Sequence, residues 1–506
     1  MNNKDFYLQR QRSRIVSNSL ECSTGKVAWQ ISLVFAFIFT FMSFDFSAKS
    51  ISYPMLAFGV IYLVMGLFQL YVCKRTEKEI FNYGAISKST RRLGIILIPL
   101  VLTGNFFVSI TGFMLVKEDK PIEYSISVYS LLVTLFVIVV SLVNLFKPYV
   151  ADTFPIGMAG LAIVAVFNVI VMIAVAKKLN GANSMAIDKS MLPIAILSIV
   201  SGFIGNAFAL LLGVIMIAKI FRKDKEISIE WIDVIRRLFK NYMSVIGLFF
   251  ITFLIAVSVC SNFTFDYDMA TLNNYQALLQ KPSLMYPFGT DNYGRCIFTR
   301  IIFGASISLS VGFVSTMVPI AIGGILGAYS GFYGGKTDNI IMRLLDVLYA
   351  VPGILLAVAI IAAFGANTFN LIMALSIGGI PTYARTVRAT VLTLSGQEFI
   401  EAAKACGAKS SLIIFKHIIP NSLAPIIVRA TLSIGGAVLS TSSLSYLGLG
   451  VEPHIPEWGN ILKAGSTYLE INPYIAIFPG IAIILIVLAF NYFGDGLRDA
   501  LDPKLK

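Results

Sequence analysis

Apolar runs long enough to cross a bilayer recur along almost the whole chain, and polar residues gather between them. Twelve stretches stand out: 27–44, 53–73, 93–116, 126–146, 156–176, 191–218, 243–261, 302–328, 341–364, 371–390, 421–445 and 473–492. A helix of roughly 20 apolar residues spans about 30 Å of hydrocarbon. The pattern therefore predicts an all-α polytopic membrane protein with about 12 transmembrane helices. The first stretch follows basic residues, as a signal peptide does. It runs for about 18 apolar residues with no small-x-small cleavage site, so it is read as a retained span.

Composition supports this class. Of 506 residues, 57% are hydrophobic and 13% charged, with a mean hydropathy of +0.80, against about 25% charged in soluble domains. Cys22, Cys73, Cys260, Cys296 and Cys406 are scattered without CxxC spacing, so neither a zinc site nor a disulfide framework is indicated. The net charge of +13 is an orientation signal. With the N-terminus inside, most lysines and arginines fall in 1–26, 74–92, 147–155, 219–242, 329–343, 385–420 and 491–506, all then cytoplasmic. This asymmetry predicts both termini inside and contact with anionic lipid, and it makes a nucleic-acid partner unnecessary.

The basic stretch 219–242 divides the chain. Its Trp231, Ile232, Ile235 and Leu238 share one helical face, and Arg236, Arg237 and Lys240 lie largely elsewhere, as on a helix along the inner membrane surface. The expected organisation is a six-helix membrane region over 1–220, an amphipathic linker over 221–242 and a second membrane domain over 243–506. The first region has short loops and no acid within the twelve stretches. The second has outside segments at 262–301 and 446–472, the latter shaped by Gly448, Gly450, Pro453 and Pro456. Trp458 is expected at the membrane interface, where its amphipathic ring is favoured.

Catalytic chemistry finds no support. "SGFYGGKTD" at 330–338 ends like a P-loop, but Ser330 stands where the first glycine belongs and no strand precedes it. It reads as a glycine-rich turn. His417 and His454, the two histidines, fall on opposite sides of the membrane and cannot share a metal. The chain is therefore read as neither an enzyme nor a cofactor protein. Arg429 is the one charge well inside a span, where charges face a cavity or partner or snorkel to water. Arg343 and Asp346 lie near the inner interface, and Pro352 predicts a kink.

The segment "EFIEAAKACGAKSSLIIFKHIIPN", 398–421, interrupts the apolar pattern. Residues 398–405 predict a short helix with Phe399, Ala402 and Ala403 on one side. Gly407 bends the chain, 409–418 predict a second helix, and Pro420 stops it. Small alanines beside Glu401 suit close approach by a soluble partner.

These residues resemble the EAA loop of ABC-importer permeases: Glu401-Ala402-Ala403, then Gly407, then Ile419-Pro420. His417, together with "FGTDNYGRCIFTR", "MRLLDVLYAVPGILLAVAI", "SLSYLGLGVEPHIPEWGNIL" and "GDGLRDALDPKLK", is similar to the second permease subunit of the dipeptide/oligopeptide/nickel subset. The resemblance covers roughly 236–506, and residues 1–220 carry no part of it. Cys296 replaces a usual Asp, Thr441 a common acid, and Arg429 a common uncharged residue.

The resemblance implies that the last six spans form a type I importer core in a prokaryotic plasma membrane. It implies a second homologous permease subunit, two cytoplasmic ATP-binding subunits and an extracellular substrate-binding protein. Glu401, Ala402, Ala403, Gly407, His417 and Pro420 would couple to the ATPase, and Arg429 and Thr441 are candidate pathway residues. Peptide is the expected cargo, with nickel or another small solute as the alternative. A secondary transporter, or a non-transporting membrane sensor or scaffold, is the competing class.

Overall fold

The computed structural model describes residues 12, 16, 19–45, 50, 51, 53–117, 121–147, 149–179, 187–221 and 229–502. Apart from a two-residue pairing of Phe44–Asp45 with Ser50–Ile51, its regular structure is helical. The chain divides into two compact units, Met1–Leu142 with Ile156–Tyr242, and Val143–Pro155 with Met243–Lys506.

The first unit opens with two long helices, α1 (Leu20–Met42) and α2 (Tyr53–Tyr83). The stretch expected to span at 93–116 is instead a folded-back pair. It comprises α3 (Lys88–Leu97) with a 3-10 extension (Ile98–Thr103), and α4 (Phe106–Val116). Two further long helices follow, α5 (Ile122–Leu142) and α6 (Phe154–Lys178). The stretch expected at 191–218 is likewise a pair, α7 (Leu192–Gly202) and α8 (Ala207–Ile220). Each pair breaks at a Gly-Asn dipeptide. Gly104 and Gly205 adopt φ of 80° and 92°, a conformation that ends a helix and that glycine takes without Cβ strain. Of the linker, 222–228 lie outside the described residues, and Ile229–Leu238 form the expected helix, α9.

The second unit contains α10 (Tyr242–Thr264), α11 (Ile297–Tyr333), α12 (Gly335–Ala350), α13 (Gly353–Phe364) and α14 (Thr368–Ser395). After the interruption at 398–421 come α16 (Leu423–Leu447), α17 (Trp458–Ser466) and α18 (Tyr474–Leu501), with α15 (Glu398–Ala405) inside the interruption. Helices α12 and α13 meet at 82°. The cause is the expected one: Pro352 has no amide hydrogen and forces Val351 into extended geometry, at φ −86° and ψ 125°.

Among the described residues, 8 helices are long and apolar enough to cross a membrane, or up to 9 if the bent pair is one span. Helix α14, which covers the expected stretch 371–390, falls outside this set; its last turns carry Arg385 and Arg388.

Helices α11 and α14 pack along Gly323, Gly327 and Gly331. A Cβ at Gly327 would lie 2.3 Å from the Ala384 carbonyl oxygen, so only glycine permits this approach. A second core joins α10, α11, α16, α17 and α18 through Ile251, Leu309, Val438, Trp458 and Ile486.

The segment 143–155 also departs from expectation. Sequence reading places 147–155 inside and 262–301 outside. In the structure Asn144 Nδ2 donates to the Thr264 carbonyl at 2.8 Å, Lys147 Nζ to Thr299 Oγ1 at 2.6 Å, and Thr153 Oγ1 to the Phe263 carbonyl at 3.0 Å. The two segments lie on one side.

Candidate functional site: the interrupted segment and its supports

Helix α15 ends at Cys406, and Gly407 turns the chain at φ +76°. The amides of Gly407 and Ala408 donate to Lys404 and Ala403 carbonyls at 3.0 and 3.1 Å, closing the helix end. A second helical run follows without a gap: Ser410–Leu412, a π turn over Ile413–Ile418, and Ile419–Asn421. Pro420 does not stop this run, contrary to expectation. The wider π turn precedes it, and proline is tolerated at the start of the next helical piece, where its missing N–H is not needed. The chain loosens only at Ser422 before α16, with Asn421 Nδ2 donating to the His417 carbonyl at 2.6 Å.

The two short helices form a bent pair with two distinct faces. Ile400, Ile413, Ile414 and Ile418 are buried against Ala328, Val387, Val391 and Ile426, which seats the pair on α11, α14 and α16. Lys404 adds a cation–π contact, its Nζ 5.3 Å from the centroid of the Phe332 ring. The opposite face is uncovered. Glu401, Ala402 and Gly407 are exposed, Ala403 and His417 half-buried, and Pro420 exposed. Phe399, Leu412 and Phe415 present 42%, 49% and 52% of their surface around them.

Ion pairs brace the platform beneath. Arg388 Nε and Nη2 donate to the two Asp338 carboxylate oxygens at 2.6 Å each, and Ser330 Oγ donates to the same carboxylate. Asp338 begins α12 inside the glycine-rich turn that resembled a P-loop, so this turn is a joint among α11, α12 and α14. Farther along the same two helices, Arg385 Nη2 donates to Asp346 Oδ1 at 2.5 Å and its guanidinium stacks 3.9 Å from the Tyr349 ring. Neither arginine was singled out from sequence.

The far end of the unit is held by a different set of contacts. Asp291 is buried and accepts from the Tyr293 and Arg295 amides at 2.9 Å and from Arg295 Nε at 2.8 Å. Arg300 lies 3.8 Å away and donates to the Ala270 carbonyl at 2.8 Å. Glu457 caps α17: its Oε2 accepts from the Gly459 and Asn460 amides at 2.8 and 3.2 Å, and its Oε1 accepts from Ser442 and Ser308 at 2.8 and 3.2 Å. Burial pushes this carboxyl above its ordinary range, against the opposing pull of those donors. Trp458 is fully buried rather than interfacial. Gly304 leaves a cleft for the indole, whose Nε1 donates to the Ile301 carbonyl at 2.9 Å.

The two candidate pathway residues diverge. Arg429 is exposed on α16, and Gly436, Leu439 and Ser443 follow it along the same exposed face. An apolar recess of about 500 Å³ opens beside Leu439, Ser443 and Tyr446. Thr441 is fully buried, and its hydroxyl has no hydrogen-bond partner among the described residues.

Residues 323–506 match the family model for the binding-protein-dependent transport system inner membrane component. Residues 230–282 match that for the N-terminal transmembrane domain of oligopeptide transport permease C. The chain is 43% identical over 284 residues to the glutathione transport system permease protein GsiD of Pectobacterium atrosepticum, covering 94% of that protein and 56% of this chain. It is 45% identical over 276 residues to the dipeptide transport system permease protein DppC of Alkalihalophilus pseudofirmus, covering 90% of that protein and 54% of this chain. A solved inward-facing structure of the MetNI methionine ABC transporter overlaps 40% of this chain and 96% of its own, with 23% identity and a TM-score of 0.34.

Proposed function

This chain belongs to the peptide ABC-importer permease family, and on that premise we propose that it forms one half of the translocation path of an ATP-driven importer of di- or oligopeptides. The observation that carries the coupling assignment is the two-faced helix pair at 398–421. One face is anchored by buried isoleucines, and the other presents Phe399, Leu412 and Phe415 around Glu401 and Ala402. A uncovered apolar face rimmed by charge, on a rigid seat, suits docking into a groove of a soluble subunit.

In this reading two cytoplasmic ATP-binding subunits receive the bent pair, and ATP hydrolysis occurs there and not in this chain. Closure of the ATPases moves the pair as a rigid body. The Arg388–Asp338 and Arg385–Asp346 bridges pass that motion from α14 to α12, beside the Pro352 bend. A second permease subunit faces the Arg429 side of α16, and an extracellular binding protein delivers cargo to the 262–301 and 446–472 segments. Both termini face the cytoplasm.

The test is purification of the tagged chain in mild detergent. Co-isolation of an ATPase and a second permease is expected, and Glu401→Lys should weaken ATPase recovery while leaving membrane insertion intact. A transport-competent homo-oligomer without any ATPase would overturn the reading.

A further inference from the structure

The two broken stretches of the first unit are built alike. Each has a Gly-Asn break, a phenylalanine two positions after the asparagine (Phe107, Phe208) and a glycine seven positions after it (Gly112, Gly213). The asparagines do the same work: Asn105 Oδ1 accepts from the Val108 amide and Asn206 Oδ1 from the Ala209 amide, both at 3.3 Å. The glycines also do the same work. A Cβ on Gly112 would lie 2.7 Å from the Gly94 carbonyl oxygen, and one on Gly213 would lie 2.6 Å from that of Ala195. Gly94 and Ala195 each stand eleven positions before their asparagine. The limbs are therefore clasped back to back in both hairpins. In each case two long helices, α1 and α2 or α5 and α6, precede the hairpin.

Neither tip reaches the ends of its neighbours. Asn105 Nδ2 donates to Ser32 Oγ at 2.7 Å, and Ser32 is midway along α1. Asn206 Nδ2 donates to the Ser130 carbonyl at 2.9 Å, within a buried network in which Asn168, well inside α6, donates to Thr134 Oγ1 at 3.0 Å. The longest α-helical limb has 14 residues, about 21 Å at 1.5 Å per residue, short of about 30 Å of hydrocarbon. Polar contacts also close the mouths. Arg91 Nη1 donates to the Leu115 carbonyl at 3.4 Å in the first hairpin. At the end of the second, Lys219 Nζ lies 2.5 Å from Glu123 Oε1 at the start of α5. If 126–146 and 191–218 both crossed in the twelve-span order, those two residues would lie on opposite sides of the bilayer.

We infer that residues 20–220 are a tandem duplication of a span–span–re-entrant-hairpin module, with both hairpins entering the membrane from one side. Non-helical backbone at membrane depth persists only where protein covers it, and the serine–asparagine contacts supply that cover. The path reverses α5 and α6 relative to the twelve-span order. It carries Lys117, Lys177, Lys178 and Lys189 to the side of Lys88 and moves Lys147 to the other, which sharpens the charge asymmetry. It also accounts for Lys147 beside Thr299. The first unit thus presents the mouths of two hairpins, with exposed Lys88, Lys177, Lys178 and Lys189, on one side of the membrane.

Cysteine accessibility tests this in the full chain, with Lys88→Cys, at an exposed position before the first hairpin, as the reference. Lys88→Cys, Asp152→Cys, Lys177→Cys and Lys189→Cys, each with exposed Cys406 replaced by serine, are probed with a membrane-impermeant maleimide on intact and on permeabilised cells. The expected result is that Lys177→Cys and Lys189→Cys label under the same condition as Lys88→Cys, and Asp152→Cys under the other. If Asp152→Cys follows Lys88→Cys, or either of the other lysine positions opposes it, the proposal is overturned. Tyr149→Cys replaces Asp152→Cys if that variant fails to accumulate. The comparison is relative to Lys88→Cys, so it holds whichever way the importer reading itself falls.

Discussion

Arg388 and Asp338 meet side by side, with two hydrogen bonds of 2.6 Å joining one guanidinium to one carboxylate across fifty residues of sequence. Two parallel N–H···O bonds fix an angle as well as a distance, so the pair ties the orientation of α12 to that of α14. Both side chains are partly exposed, at 33% and 21%, which keeps the stability contribution modest. Asp338→Ala should cost about 1–3 kcal/mol in detergent-solubilised thermal unfolding yet impair transport far more than ATPase association. The exchange Asp338→Arg with Arg388→Asp should recover part of the transport. Full transport by Asp338→Ala would remove this joint from the coupling route.

At Glu457 the folded carboxyl titrates above its ordinary range because it is buried. The folded state therefore binds a proton that the unfolded state has already released, and stability falls as pH rises from about 4.3 through the raised value, then levels. Glu457→Gln should remove that slope. Its amide oxygen can face the Gly459 and Asn460 amides, and its NH₂ can donate to Ser308 and Ser442 with their hydroxyls turned. Glu457→Ala leaves four donors without their acceptor and should destabilise by several kcal/mol. Thermal midpoints of the three proteins between pH 4 and 8 check both statements.

Gly407 and Phe415 separate shape from contact in the helix pair. Nothing lies within 4 Å of a Cβ built on Gly407, so the cost of substitution comes from its φ of +76° alone. Gly407→Val should cost about 1–2 kcal/mol and misdirect α15, with Gly407→Asn milder because asparagine tolerates this region. Phe415→Asp, on the exposed face, should stay within about 0.5 kcal/mol of the parent in stability while sharply reducing recovery of the ATPase. Parental ATPase recovery with both variants would mean that neither the bend nor the face matters.

The bend at Gly407 was legible because a glycine and a run of charges interrupt an apolar chain, and the kink at Pro352 because proline lacks an amide hydrogen. The hairpins were hidden for the converse reason. Hydropathy sums residues without following the path, so 93–116 and 191–218 score as spans although Gly104-Asn105 and Gly205-Asn206 break them. Trp458 was misplaced because the rule that favours indole at the interface competes with a cleft that exists only once Gly304 of α11 lies against it. The pairing of Arg388 with Asp338 depends on the close approach of α11 and α14 along Gly323, Gly327 and Gly331. That stripe could have been read at four-residue spacing; its partner could not.

Arg429 and Thr441 lie on one helix and should answer oppositely. Arg429 is exposed on the α16 face that bears the recess, and a charge within a span persists where it meets water, a partner or a ligand. A peptide carries a terminal carboxylate that a guanidinium can bind through two hydrogen bonds. Arg429→Gln should therefore raise the KM for peptide uptake by roughly tenfold, which is the 1.4 kcal/mol scale of one charged contact, with little change in thermal stability. Thr441 is buried, and its hydroxyl lacks a partner among the described residues. Thr441→Val keeps the shape and removes an unsatisfied group, so stability should hold or rise by about 1 kcal/mol with uptake unchanged. Uptake kinetics in reconstituted vesicles, read beside melting curves, decide the assignment. An Arg429→Gln protein with normal KM and a lowered melting point would make Arg429 a structural residue. A Thr441→Val protein with altered KM would return Thr441 to the path.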